Sequence, residues 1–150
     1  LVNGIGHLVD NKTRQKIFIK YKALGFKFLN VISSRAHVSS LSVIKEGVQI
    51  LNDAIVQVGC EIGENTIINT GSIIEHDCKI GEHVHVAPGS VICGGVRVGK
   101  NTFVGARSVI IPGITIGCDA TIAAGTTVHQ KVNSGSDVRS SSMRVVNDNL

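Results

Sequence analysis

The sequence predicts an all-β fold, a parallel β-helix built from six-residue repeats, and three observations lead to this prediction. From Val38 to Val128, every sixth residue is Ile or Val, at sixteen successive positions without an insertion. The residue two places before each of these positions is mostly small. Only 3% of the 150 residues are aromatic and none is Trp, so Ile and Val must fill the core.

The hexad is the repeating unit of a short strand followed by a turn. The β-branched residue is expected to point inward, because its restricted χ1 suits a pleated wall. Three hexads make one triangular coil, so residues eighteen apart stack about 4.8 Å apart. Pro88-Gly89 and Pro112-Gly113 begin two residues after an inward position, where Pro-Gly favours a turn. The sixteen hexads predict about five coils.

Residues 1–32 lack the hexad and are expected to form a short α/β segment. Asn11 or Thr13 can begin a helix, and Gly25 can end it. Residues 26–32 are consistent with a strand. One face of the helix is expected to carry its apolar residues Ile17, Tyr21 and Leu24.

The expected organisation is an α/β segment over residues 1–32, a β-helix over 33–132 and a polar, Ser-rich tail over 133–150. The net charge of +4 is mild and the basic residues are scattered. With few aromatic residues to stack bases, nucleic-acid binding is not expected. No apolar run is long enough to span a bilayer and no signal peptide is visible, so we expect no membrane insertion and a cytoplasmic location.

Three of the six histidines, His76, His83 and His85, fall within ten residues and are the first candidates for chemistry. His76 follows an inward position by two residues and is therefore expected at an outer corner. The next residue, Asp77, could hold the imidazole tautomer that a general base requires. Gly94 lies one coil beyond His76, where its backbone N–H would be unobstructed.

Two other interpretations of these histidines stay open. His83 and His85 form a His-x-His pair, which could supply two ligands to a zinc ion with a third ligand from a neighbour. The γ-type carbonic anhydrases share the hexads and bind zinc between subunits, but their ligand spacing is absent here. In the other interpretation, all three side chains are solvated. Because His76 and His85 are half a coil apart, they would meet only across the groove between two prisms of a trimer.

Several short motifs resemble the bacterial hexapeptide-repeat acyltransferases of the sialic acid O-acetyltransferase and UDP-amino-sugar N-acetyltransferase group (NeuD/PglD type). They are Ile-Asn-Thr at 68–70, Ile-Glu-His-Asp-Cys at 74–78, Ile-Gly at 80–81, His-Val at 85–86 and Cys-Gly-Gly-Val at 93–96. The resemblance implies a left-handed β-helix behind a Rossmann-like nucleotide-sugar domain, of which residues 1–32 would be a part. It further implies a homotrimer, with acetyl-CoA between neighbouring prisms.

The resemblance also implies roles for individual residues. His76 would be the general base and Asp77 its acidic partner, while Asn69 and Thr70 match positions near the acceptor sugar. Arg107 and Lys131 are candidates for contacts with the CoA phosphates. The residues expected to bind acetyl-CoA are His85, Gly94, Gly105, Ala106, Ala123 and Ala124.

The expected function is acetyl transfer from acetyl-CoA to an amino or hydroxyl group of a sugar, which is expected to be nucleotide-linked, in surface polysaccharide or glycan synthesis. No resident metal is expected. The alternatives are a zinc enzyme of the γ-carbonic-anhydrase kind and a non-catalytic trimeric scaffold. Cys60 and Cys78 stack eighteen residues apart at inward positions, where we expect small buried side chains rather than a nucleophile.

Overall fold

In the computed structural model, residues 31–138 form a parallel β-helix in which every strand is two residues long. The structure describes residues 1–6 and 12–139. The 18 strands are distributed over three sheets of seven, six and five strands, which are the faces of a prism. The chain visits the three faces in turn and makes about 6 turns of a left-handed solenoid.

The strands are numbered in chain order and pair only with strands one coil away. Sheet 1 contains β1 Val31–Ile32, β4 Gln49–Ile50, β7 Ile67–Ile68, β10 His85–Val86, β13 Phe103–Val104, β16 Thr121–Ile122 and β18 Asp137–Val138. Sheet 2 contains β2 His37–Val38, β5 Ile55–Val56, β8 Ile73–Ile74, β11 Val91–Ile92, β14 Val109–Ile110 and β17 Thr127–Val128. Sheet 3 contains β3 Val43–Ile44, β6 Glu61–Ile62, β9 Lys79–Ile80, β12 Arg97–Val98 and β15 Thr115–Ile116.

The core is the column of Ile and Val residues that the hexad predicted. Ile74 pairs with Val56 on one side and with Ile92 on the other, a spacing of eighteen residues. Ile74 and Ile92 are both 0% exposed. The prediction of a parallel β-helix with β-branched residues inward is therefore confirmed.

The small inward residues also tie neighbouring coils together. The Thr66 hydroxyl donates to the Gly81 carbonyl at 2.8 Å, and the Cys78 thiol donates to the Cys93 carbonyl at 3.1 Å. A buried hydroxyl without an acceptor would destabilise the fold. The small inward position therefore favours a short side chain whose donor lies within hydrogen-bonding distance of a carbonyl on the next coil. Cys60 and Cys78 are buried free thiols, as expected.

The N-terminal helix α1, Thr13–Ala23, packs on the β-helix through a face that only partly coincides with the predicted one, on which Ile17 and Tyr21 are half-buried. Arg14 and Phe18 are its buried residues, whereas Leu24 is 63% exposed. The reason is Gly47, where a Cβ atom would lie 2.8 Å from the Phe18 ring. The missing side chain makes room for that ring. Across residues 1–6 and 12–139, no helix has the length and hydrophobicity of a membrane span.

The predicted strand over residues 26–32 is shorter in the structure and belongs to a different unit. Only Val31–Ile32 is a strand, and it pairs with Gln49–Ile50 of the β-helix. The Leu29 N–H instead donates to the Leu1 carbonyl at 2.8 Å. The last strand of the predicted α/β segment is therefore the first strand of the solenoid.

The β-helix also continues past residue 132, into the segment predicted as a tail. Asp137–Val138 pairs with Thr121–Ile122, and Val132 bridges to Ile116. The hexad count missed this coil because Val132 follows Val128 by four residues instead of six. The rest of the predicted tail, residues 140–150, lies outside the described residues.

We expect Ile92→Ala to lower the free energy of unfolding by about 2–5 kcal/mol, because it leaves a cavity in a core with no large ring to fill it. The measurement is urea denaturation at a fixed protein concentration. Thr115→Ala, on the exposed side of sheet 3, is the matched control and should change the value by less than about 0.5 kcal/mol. Equal effects of the two variants would contradict the inward placement of Ile92.

Candidate active site

His76 and Asp77 form a hydrogen-bonded pair at the corner between sheets 2 and 3. His76 Nδ1 lies 2.9 Å from Asp77 Oδ2, and the two side chains are 59% and 72% exposed. Asp77 adopts a left-handed backbone conformation with φ of 59°, which the short Asp side chain tolerates. Because the carboxylate accepts the Nδ1 proton, the Nε2 lone pair is left available to accept a proton.

Gly94 lies on the next coil, directly beside the imidazole. A Cβ atom at Gly94 would lie 2.6 Å from His76 Nε2 and 2.7 Å from His76 Cε1. The Gly95 N–H donates to the His76 carbonyl at 2.9 Å, whereas the Gly94 N–H has no hydrogen-bond partner among the described residues. The corner therefore places the His76 imidazole beside the Gly94 backbone, as the eighteen-residue stacking predicted.

The hydrogen bond that His76 Nδ1–H donates to the Asp77 carboxylate raises the pKa of His76 above its ordinary value, since it stabilises the imidazolium. A base with a raised pKa becomes neutral, and therefore active, only at a higher pH. We expect Asp77→Asn to lower the pKa of His76 and to move the acidic limb of a pH–rate profile to lower pH. Histidine NMR titration measures the first effect directly, and an unchanged pKa would contradict the pairing.

His85 lies on sheet 1, a different face from the one that His76 follows. His85 is only 9% exposed, and its ring meets the Phe103 ring edge-on, with centroids 5.3 Å apart. Asn69 Nδ2 lies 3.1 Å from His85 Nε2. Because Asn69 Oδ1 accepts from the Thr70 N–H at 2.8 Å, the amide is oriented to donate to the imidazole. The structure therefore joins three predicted residues, Asn69, Thr70 and His85, in one hydrogen-bonded group.

The small residues expected to bind acetyl-CoA lie where the chain leaves sheet 1. Gly105 is buried and has a packing role, because a Cβ atom there would lie 2.5 Å from the Ala124 nitrogen. Ala106 and Ala123 are half-buried, while Ala124 is exposed. Arg107 and Lys131, the predicted phosphate contacts, are exposed. This edge lies between sheets 1 and 2, so one chain does not bring it to the His76 corner.

His83 is not a solvated residue, contrary to the simplest interpretation of its position. It packs edge-on against Phe18 of the N-terminal helix, with centroids 5.6 Å apart, and its Nδ1 lies 3.0 Å from Asn65 Nδ2. Burial lowers the pKa of His83. His83 and His85 thus contact different partners. In the part of the chain that the structure describes, no group of three His, Cys, Asp or Glu side chains could hold a metal ion.

A buried polar cluster that the sequence did not predict joins the N-terminal segment to the solenoid. Arg14 Nη1 donates to the carbonyls of Asn3 and Ile5 at 2.8 and 2.7 Å, and Asn3 Nδ2 donates to Asn65 Oδ1 at 3.2 Å. Gln49 Nε2 also donates to the Asn3 carbonyl, at 2.6 Å. The cluster fixes residues 1–6 against sheet 1, the face that carries His85.

Two family models match the repeats. Residues 59–94 match the model described as bacterial transferase hexapeptide, six repeats. Residues 95–130 match the model described as hexapeptide repeat of succinyl-transferase. None of the curated protein sequences compared with the chain matches it.

Solved structures resemble the chain more extensively. A point mutant of perosamine N-acetyltransferase from Caulobacter crescentus, in complex with CoA and GDP-perosamine, is 35% identical with a TM-score of 0.83, over 87% of this chain and 62% of that one. The acetyltransferase domain of PglB from Neisseria gonorrhoeae, in complex with acetyl coenzyme A, is 29% identical with a TM-score of 0.83, over 87% and 63%. The chain thus spans 62–63% of the length of these proteins.

The repeats and the solenoid are therefore both accounted for by one group of proteins. The matched repeats cover residues 59–130 without a gap, and the likeness to the solved structures extends over 87% of the chain. Residues 59–130 therefore consist of transferase hexapeptide repeats, and the chain has the fold of the bacterial hexapeptide-repeat acetyltransferases that it resembles.

Proposed function

We propose that the protein is an acetyl-CoA-dependent acetyltransferase that acylates an amino or hydroxyl group of a nucleotide-linked sugar. The observation that carries the proposal is the His76–Asp77 pair, held at an open edge beside the unpaired N–H of Gly94. The similar structures support the choice of reactants, since perosamine N-acetyltransferase holds CoA and GDP-perosamine and the PglB domain holds acetyl coenzyme A.

The proposed reaction uses the two nitrogens of His76 differently. The Nδ1–H donates a hydrogen bond to the Asp77 carboxylate and keeps its proton. Nε2 therefore accepts the proton from the sugar amine or hydroxyl as that group attacks the thioester carbonyl. The negative charge that develops on the carbonyl oxygen is stabilised by a backbone donor, for which Gly94 N–H is available. The tetrahedral intermediate then expels the CoA thiolate, which takes up the proton held on Nε2.

We further propose that the active unit is a homotrimer with each site shared between two chains. The outward residues of sheet 2 support this proposal, because four apolar side chains stack on consecutive coils beside the His76 corner. They are Ile55, Ile73, Val91 and Val109, which pair in register. A continuous apolar face of this kind marks a protein–protein interface. Covering it with a second copy would bring His76 of one chain towards His85, Asn69 and the small-residue edge of another.

The test is a thioester-cleavage assay with acetyl-CoA and a panel of UDP-, GDP- and CMP-linked sugars, using the purified chain and the full-length gene product in parallel. We expect CoA release that depends on one of the sugars. Calorimetric titration with acetyl-CoA provides the control, since a non-catalytic scaffold would show no binding heat. If neither protein releases CoA and neither binds acetyl-CoA, the proposal is wrong. We propose that this acetyl transfer is a step of surface glycan synthesis.

A further inference from the structure

Two glycines, Gly59 and Gly94, flank the His76–Asp77 pair on the coils before and after it. We propose that they are positioning residues, which hold the carboxylate and the imidazole in hydrogen-bonding register by leaving open the space that the two side chains occupy. The catalytic consequence rests on the proposed function, whereas the geometric claim does not. Gly59 had no part in the predicted site, and Gly94 was expected to bind acetyl-CoA and to leave its backbone N–H unobstructed.

Gly59 lies one coil before Asp77, at the same corner. A Cβ atom at Gly59 would meet Asp77 Oδ1 in a steric clash and would lie 3.4 Å from Asp77 Cγ. Asp77 is 72% exposed, so its carboxylate could turn away without disturbing the core. Turning would remove Oδ2 from its position 2.9 Å from His76 Nδ1. A side chain at Gly59 would therefore disrupt the pair without displacing any core residue.

The close approach of another side chain to Gly59 is not a general property of this corner. Gly113 occupies the same position three coils later, with φ of 72° against 73° at Gly59. A Cβ atom at Gly113 would have nothing within 4 Å. Both glycines thus adopt the same left-handed backbone conformation, which favours glycine. They differ because Asp77 occupies the space beside Gly59, whereas no atom occupies the space beside Gly113.

Gly94 restricts the pair from the other side. Its Cβ atom would lie 2.6–2.7 Å from His76 Nε2 and Cε1 and 3.2 Å from Cδ2. Gly94 is not among the glycines with positive φ, so alanine would meet no left-handed strain there. The steric effect of a methyl group on the imidazole can therefore be measured without a backbone effect.

The experiment compares Gly59→Ala with the strain-matched Gly113→Ala, and the pKa of His76 is measured by NMR of histidine-labelled protein. The His76 resonance is assigned from the spectrum of His76→Gln. We expect both variants to lose similar stability, because both place alanine at positive φ. Only Gly59→Ala should lower the pKa of His76 towards its ordinary value, and only Gly59→Ala should lower kcat, by about 10²-fold as for an angstrom-scale misplacement.

A double-mutant cycle tests whether Gly59 acts through Asp77. Asp77→Gly keeps the left-handed corner and removes the carboxylate. In that background, Gly59→Ala should change neither the pKa of His76 nor kcat any further. A further change in either quantity would overturn the proposed route. If Gly59→Ala does not fold, Gly94→Ala provides the same pKa measurement without left-handed strain.

The outcomes separate this inference from the proposed function. If Gly59→Ala behaves like Gly113→Ala while His76→Ala abolishes acetyl transfer, the inference is wrong and the proposed function stands. If no acetyl transfer is found but the pKa of His76 falls only in Gly59→Ala and Gly94→Ala, the inference stands and the proposed function is wrong.

Discussion

Replacement of His76 by alanine is expected to lower kcat by about 10²–10⁴-fold, the usual cost of losing a general base. His76 is 59% exposed at an outer corner, so its removal leaves no cavity. The thermal midpoint and the oligomeric state should therefore match those of the wild type. The measurement is steady-state acetyl transfer with the sugar identified by the substrate panel, accompanied by thermal unfolding.

His83→Ala is the matched control for this prediction. His83 lies on the neighbouring corner, between sheets 3 and 1, and packs on the N-terminal helix through Phe18. We expect His83→Ala to lower the thermal midpoint and to change kcat far less than His76→Ala. Unchanged turnover in His76→Ala, with the fold intact, would remove His76 from the role of base.

Replacement of Ile73 by aspartate is expected to convert the proposed trimer into monomers and to abolish activity. Ile73 is the outward residue of its strand on sheet 2, between Ile55 and Val91. An unpaired carboxylate buried in an interface costs several kcal/mol, and a threefold assembly would incur that cost at each contact. Light scattering coupled to gel filtration gives the molar mass, and the acetyl-transfer assay gives the activity of the same sample.

Thr115→Asp provides the control for Ile73→Asp. Thr115 occupies the same outward strand position on sheet 3 and is exposed. This variant should keep both the trimer mass and the activity. A fully active monomer of Ile73→Asp would contradict a site shared between chains, and a trimer retained in Ile73→Asp would place the interface on another face.

The solenoid could be predicted from the sequence because each coil repeats the same environment. One residue in six must be β-branched to fill the interior, and that demand is visible at sixteen positions from Val38 to Val128. The same arithmetic placed Gly94 one coil beyond His76, and a Cβ atom at Gly94 would indeed lie 2.6 Å from the His76 ring. Local periodicity thus determined both the fold and the relation between these two residues.

Contacts outside the repeat could not be predicted in this way. Phe18 fills the space left at Gly47, and Arg14 donates to residues of the N-terminal segment. These contacts depend on how the non-repeating N-terminal segment packs on the solenoid, and the six-residue repeat gives no information about that packing. The last coil was missed for a related reason, since the shortened spacing between Val128 and Val132 interrupts the pattern that identifies an inward residue.

The burial of His85 shows the same limit on a smaller scale. Its place before Val86 predicts an outward side chain, and the strand does present it outward. Its low exposure follows from Phe103 on the next coil and from the oriented amide of Asn69. The side chains on adjacent coils therefore determine whether an outward residue is solvated. Their effect depends on which residues they are, and the hexad spacing does not specify that.

The central claim is that each site combines His76 of one chain with His85 of another, and subunit mixing tests it most directly. His76→Ala and His85→Ala, each nearly inactive alone, are co-expressed with different tags and the mixed trimers are purified. Each mixed trimer has an intact pair at one of its three interfaces, so about a third of wild-type activity should return. Activity no greater than the sum of the two parent variants would contradict the shared site.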